Sequence, residues 1–271
     1  MHIVFWGEED GCGMTSSMIA IASVCAHAWN RKTILMQGRN QQGDLADKLE
    51  TDRFAHLVRE AGPNGGLLDG LDKLLWQAKS RKLGEADIKD CMVPVIKGRM
   101  YYLPQAAYRK PRVYTQSLND GMWRVIRQAE QLCDLTFVDC GSGMDAMSAF
   151  ILERADLVVM NLSQERQNLD AYFQKRHAFR GRVIYLINRY QQESMYNRQK
   201  INQLYRVEEE SLAVIPHNPI FRHASDRGKA ERFVRRHIRH TALENQTYFM
   251  DELTRAASMI VNAAGDGQEV L

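Results

Sequence analysis

His2-Ile3-Val4-Phe5-Trp6-Gly7-Glu8-Glu9-Asp10-Gly11-Cys12-Gly13-Met14-Thr15-Ser16 is the stretch that decides how this chain is read. It opens as a short run from His2 to Trp6 with the character of a buried strand, and it passes through a glycine-rich turn. A helical segment follows from about Thr15 to Trp29. Glycines let a backbone turn its N–H groups inward, and the helix that follows adds partial positive charge at its first turn. That combination suits an anion such as a phosphate. Taken alone, the same residues read equally well as a tight strand-to-helix connection.

Outward from this stretch, short apolar runs alternate with helical segments. Thr33 to Met36, Met92 to Ile96, Met100 to Leu103, Leu135 to Val138, Leu157 to Met160, Val183 to Ile187 and Leu212 to Ile215 have strand character. Leu67, Leu68, Leu71, Leu74 and Leu75 recur at helical spacing, as do Met122, Val125, Ile126 and Ala129. Such alternation predicts an α/β fold: three layers, doubly wound, with a mainly parallel sheet covered on both faces. The 271 residues contain no Pro-, Gly- or Ser-rich stretch long enough for an interdomain linker. The expectation is one domain over 1–271, with C-terminal helices at about 226–263.

The phosphate-binding loop of P-loop proteins has a lysine before its Ser or Thr, and that hydroxyl ligates magnesium. Here Thr15 supplies the hydroxyl, but Met14 stands at the lysine position. A dinucleotide-binding GxGxxG pattern fails as well, because Ser16 takes the place of the third glycine and no acid follows the second strand. Further along, Phe137-Val138-Asp139-Cys140-Gly141-Ser142-Gly143 puts an acid at the end of an apolar strand. An acid there can hold a magnesium-bound water near a phosphate loop, or it can simply cap the next helix.

The series continues with Ala155-Asp156-Leu157-Val158-Val159-Met160, Ile187-Asn188-Arg189-Tyr190 and Ile215-Pro216-His217-Asn218. In order and spacing it resembles the ParA/MinD family of deviant P-loop ATPases, over residues 1 to roughly 235. The motifs concerned are the KGGxGKT loop, the aspartate-plus-glycine turn, the "ADxVV" strand, the "NRY" strand end and the "IP" loop. Within the family the chain looks most similar to the pilus-localisation members called TadZ or CpaE, without a counterpart of their N-terminal receiver-like domain. The resemblance implies an ATP or ADP site with Mg. Gly11, Cys12, Gly13, Met14, Thr15 and Ser16 would cradle phosphates, and Thr15 would ligate the metal with Asp139 behind it. Asn188 would hydrogen-bond the adenine, and Pro216 and His217 would begin the loop over the base. It also exposes losses. The lysine that crosses the family's dimer interface falls on Glu9, the phosphate lysine on Met14, and the acids after the second strand near Gln37-Gly38-Arg39. Arg39 and Arg189 are the cations to consider as substitutes.

Composition excludes several other classes. Apolar residues make up 45% and charged residues 25% of the chain, with a formal net charge of +3, as in an ordinary globular protein. No apolar run approaches the roughly 18 residues of a membrane span. The first residues carry no basic region and turn acidic at Glu8, unlike a signal peptide. Cys12, Cys25, Cys91, Cys133 and Cys140 are scattered without zinc-ligand spacing, which fits reduced thiols in a cytoplasmic protein. The basic stretch Arg222 to His240 reads as a DNA-binding patch or as a solvated helix face. Phe249, Leu253, Ala256, Ala257 and Ile260 share one helix face, and the acidic residues around them favour packing onto the protein over membrane binding.

The expectation is therefore a degenerate ParA/MinD-like nucleotide-binding protein with weak or absent ATP hydrolysis. It would act as a homodimer, with a protein partner, in positioning or assembling a bacterial pilus or secretion apparatus. The alternatives are an active partitioning ATPase with a relocated cation and a nucleotide-free scaffold.

Overall fold

The computed structural model describes residues 1–38, 44–49, 70–105, 119–175, 179–238 and 244–265. Eight strands form one sheet in the order β3-β4-β2-β5-β1-β6-β7-β8. They are β1 (His2–Gly7), β2 (Thr33–Gln37), β3 (Val93–Ile96), β4 (Met100–Leu103), β5 (Leu135–Ser142), β6 (Leu157–Leu162), β7 (Arg182–Tyr190) and β8 (Leu212–Pro216). Every neighbouring pair is parallel except β3 and β4, a hairpin at one edge. The predicted class and all eight strands are present. β5 differs in extent, continuing past Asp139 to Ser142.

Side-chain alternation in β1 shows why the sheet has two covers. Ile3 and Phe5 face one apolar cluster, and Val4 and Trp6 face the other. The first cluster is closed by α1 (Met14–Ala28), α2 (Asp44–Asp47), α9 (Pro219–Asp226), α10 (Ala230–His237) and α11 (Glu244–Ala264). The second is closed by α3 (Gly70–Ser80), α4 (Glu85–Cys91), α5 (Asn119–Leu132), α6 (Ala146–Leu152), α7 (Arg166–Lys175) and α8 (Arg198–Tyr205). Leu67 and Leu68, expected to open α3, lie outside the described residues. Central strands flanked by helices on both faces read as continuous apolar runs, and β1, β2 and β6 are buried throughout.

The C-terminal helix packs as its sequence suggests. Phe249, Leu253, Ala256, Ala257 and Ile260 are all buried in the first cluster, and α11 lies over β7 and β8. Among the described residues no helix is long and apolar enough to cross a membrane.

A polar cluster closes the N-terminal end of β1. His2 is 1% exposed, and its Nδ1 lies 3.2 Å from Glu130 Oε1 and 3.3 Å from Asp156 Oδ2. Its backbone N–H donates to Asp156 Oδ2 at 2.9 Å, and the edge of its ring meets Trp123. Burial works against a charge on His2, but the hydrogen bonds and charges of Asp156 and Glu130 win and raise its pKa to about 9. The bond from His2 holds the Asp156 carboxyl down at about 2.

Candidate functional site

At the opposite end of the sheet the carboxyl ends of β1, β5, β7 and β8 enclose a cleft with the glycine-rich loop at its base. Gly11 and Gly13 take φ values of 73° and 94°, the left-handed region where a β-carbon is costly. Gly13 is thereby the first residue outside α1, and the helix begins at Met14 with no side-chain cap. The amide groups of the first turn are left to face the cleft.

Beneath the loop, Thr15 Oγ1 donates to Asp139 Oδ2 at 2.8 Å, and both side chains are buried. Asp139 does not cap the following helix. β5 bulges after it, Gly141 turns with φ 63°, and the Gly141 N–H donates to Asp139 Oδ1 at 2.9 Å. Asp145 caps α6 instead, accepting from the Ser148 N–H. A hydroxyl and a carboxylate in contact under a phosphate-sized loop form a hard-oxygen donor set suited to Mg²⁺.

All ten site residues named from the sequence line this cleft: Gly11, Cys12, Gly13, Met14, Thr15, Ser16, Asp139, Asn188, Pro216 and His217. Their surroundings differ from expectation in two respects. Met14 is 8% exposed and belongs to the apolar cluster on the α1 face, so the lysine position is filled by core packing. Asn188 is 2% exposed and held at both ends of its amide. Its Oδ1 accepts from Ser17 Oγ at 2.6 Å, and its Nδ2 donates to Asn161 Oδ1 at 3.0 Å. That chain ties β6, β7 and α1 together.

Gln37 occupies the end of β2 directly across from Asp139 in the ladder and lines the cleft. The next residue could not be an acid without rearrangement. A β-carbon on Gly38 would lie 2.8 Å from Cys140 Sγ and 3.0 Å from Ile151 Cδ1. Arg39 lies outside the described residues.

Glu9 and Asp10 stand at the rim as anchored carboxylates. Glu9 accepts a hydrogen bond from Asn168 Nδ2, and Asp10 accepts one from Ser142 Oγ. Burial, with the charges of Glu165 and Glu8, raises the pKa of Glu9. Lys48, Arg189 and Arg222 also line the cleft, and Lys48 pairs with Asp226 at 3.7 Å.

No family model and no curated protein matches this chain. Solved structures do. A ParA family ATPase from Chlorobium tepidum superposes with a TM-score of 0.70 at 16% identity, over 94% of this chain and 96% of that one. The fold is that of the ParA and MinD ATPases. The septum site-determining protein MinD from Pyrococcus horikoshii, solved with Mg-ADP, gives a TM-score of 0.61 at 16% identity over 98% of this chain and 100% of that one. A putative plasmid partition protein from Borrelia burgdorferi bound to AMPPNP gives 0.63 at 13% identity over 96% and 98%. Within the ParA/MinD fold, the residues that sequence reasoning overlooked are Ser17, Asn161, Asn168 and Ser225. Ser225 donates to Ser16 Oγ at 2.7 Å, tying α9 to the loop. Nothing local in the sequence links partners 209 residues apart.

Proposed function

We propose that this chain is a nucleotide-binding protein of intracellular positioning or assembly, a degenerate relative of the ParA and MinD ATPases that turns ATP over slowly or not at all. The observation carrying this reading is the buried Thr15–Asp139 pair under an open glycine loop whose lysine position is filled by buried Met14. Two structures of this fold hold Mg-ADP and AMPPNP, and the cleft in this chain keeps the donors for such a ligand. The backbone N–H groups from Gly11 to Thr15 would hold phosphate oxygens, Thr15 would ligate Mg²⁺, and Asp139 would support it through water. The metal would neutralise phosphate charge.

A hydrogen bond to a charged group contributes roughly 1.5–3 kcal/mol, so a missing lysine costs about ten- to a hundredfold in affinity. Binding survives such a loss. Phosphoryl transfer survives it poorly, because its catalysis is almost wholly positioned positive charge. The reading extends to a cytoplasmic, single-domain homodimer with a protein client in a pilus, secretion or partitioning system. Its support there is the resemblance to TadZ and CpaE and the plasmid partition protein of the same fold. Nucleotide titration alongside a phosphate-release assay tests the whole. Micromolar, magnesium-dependent binding with turnover far below one per minute is expected. Rapid turnover would make the chain a working partitioning ATPase, and no binding at millimolar nucleotide would make it a scaffold.

A further inference from the structure

We propose that Arg189 is the phosphate anchor of the cleft, in place of the lysine that Met14 displaces, and that the site is built for a nucleoside diphosphate. This rests on the nucleotide reading above and gives it a cation and a ligand class.

The backbone at Arg189 makes the first argument. Three non-glycine residues among those described have positive φ: Asn30 at 53°, Arg189 at 53° and Arg206 at 54°. Asn30 follows Trp29, the C-terminal cap of α1, and Arg206 is the left-handed cap of α8, so both reverse the chain where a helix stops. Arg189 lies inside β7, where no helix ends. The ladder to β8 skips it, since Asn188 pairs with Ile215 and Tyr190 with Pro216. Such a bulge re-aims one side chain, and an arginine in this conformation is strained where glycine would not be. Strain held at a cleft points to a use for the side chain it aims.

The second argument is where that side chain goes. A β-carbon placed on Gly13 would lie 3.9 Å from Arg189 Nε, so the guanidinium stands against the phosphate loop. Its charge reaches the loop thiol: burial pushes the Cys12 pKa up, and Arg189 pulls against it. Arg189 is exposed and makes no ion pair or side-chain hydrogen bond among the described residues, whereas Lys48 is already paired with Asp226. A guanidinium held ready beside a phosphate cradle matches the fork geometry that phosphate oxygens accept.

The third argument sets the ligand class. Among the described residues the arginines lining the cleft are Arg189 on β7 and Arg222 on α9, the helix that follows β8. Glu9 is tied to Asn168 on α7 and Asp10 to Ser142, the last residue of β5. They cannot swing clear without breaking those bonds. One anchored diphosphate meets the loop amides and Arg189, while a third phosphate adds charge against two held carboxylates.

Calorimetric titration of AMP, ADP and ATP at fixed free Mg²⁺ tests this with the full chain and its R189A, R189K and R189G variants. ADP is expected to bind at least as tightly as ATP, and both more tightly than AMP. R189A weakens ADP about ten- to a hundredfold and AMP less than threefold, with R189K between. R189G loses affinity like R189A yet melts about 2–4 °C above R189A, because glycine takes the left-handed conformation freely and alanine does not. A purely structural arginine could not give that opposition. Unchanged ADP affinity in R189A, or tenfold tighter ATP than ADP in the parent protein, overturns this inference while leaving the nucleotide reading intact. No nucleotide binding by the parent protein removes both.

Discussion

The two ends of β1 carry opposite designs. At its N-terminal end His2 is buried with two carboxylates in contact, an ion cluster that reaches solvent on its Asp156 side. At its C-terminal end the chain opens into left-handed glycines, an uncapped helix and an arginine that pairs with nothing described. Charge is matched where the strand begins and left unmatched where it ends. Matched charge in a packed setting serves the fold, and unmatched charge in a cleft is available to a ligand.

The sharpest way to break this comparison is to delete the ion cluster. His2→Ala takes the imidazole away from Glu130, which keeps Arg127, and from Asp156, which keeps the backbone N–H of residue 2, and should cost about 2–3 kcal/mol in urea unfolding, with nucleotide affinity unchanged. The same cluster fixes a pH dependence. His2 has a folded pKa of about 9, above its ordinary 6.5, so its contribution is full below 6.5 and is lost as pH rises through 9. Asp156 is depressed from 3.8 to about 2, so its contribution is present above 3.8 and is lost as pH falls through 2. Thermal stability should be flat between about 4 and 6.5 and decline above it, and the decline between 6.5 and 9 should vanish in His2→Ala, while buried thiols such as Cys133, pushed up to about 11, keep a decline above 9.

At the other end, Thr15→Ala leaves a buried carboxylate short of one donor. A loss of about 1–2 kcal/mol is expected, and the magnesium dependence of nucleotide binding should disappear with it. Equal magnesium dependence in the variant would mean that Thr15 is only a structural partner of Asp139. The smallest effect is at Gly13. A β-carbon there has room, with Asn188 Cβ at 3.8 Å, so Gly13→Ala tests the backbone alone. Its cost should be about 1 kcal/mol, read as a small fall in the urea midpoint.

The fold was legible because each strand is an apolar run of its own, and the strands alternate with helical segments. His2 to Trp6 and Leu157 to Met160 announce buried strands with no help from the rest of the chain. The site was legible as a set of positions, since a loop after one strand and the tips of others must meet at one edge of a parallel sheet. What sequence could not show was commitment. The Ser17–Asn188–Asn161 chain joins residues far apart in sequence, and periodicity has no access to it. Asp139 matched both a metal-supporting acid and a helix cap, and the bulge at Gly141 removes only the cap, which Asp145 supplies. The bulge at Arg189 was invisible because arginine carries no signal for positive φ.

The central claim is that the cleft still takes a nucleotide after losing its lysine. Calorimetric titration of the purified protein with ADP and ATP, with and without Mg²⁺, tests it most directly. Micromolar binding that weakens when magnesium is removed is the predicted result, and silence at millimolar nucleotide under both conditions would contradict it.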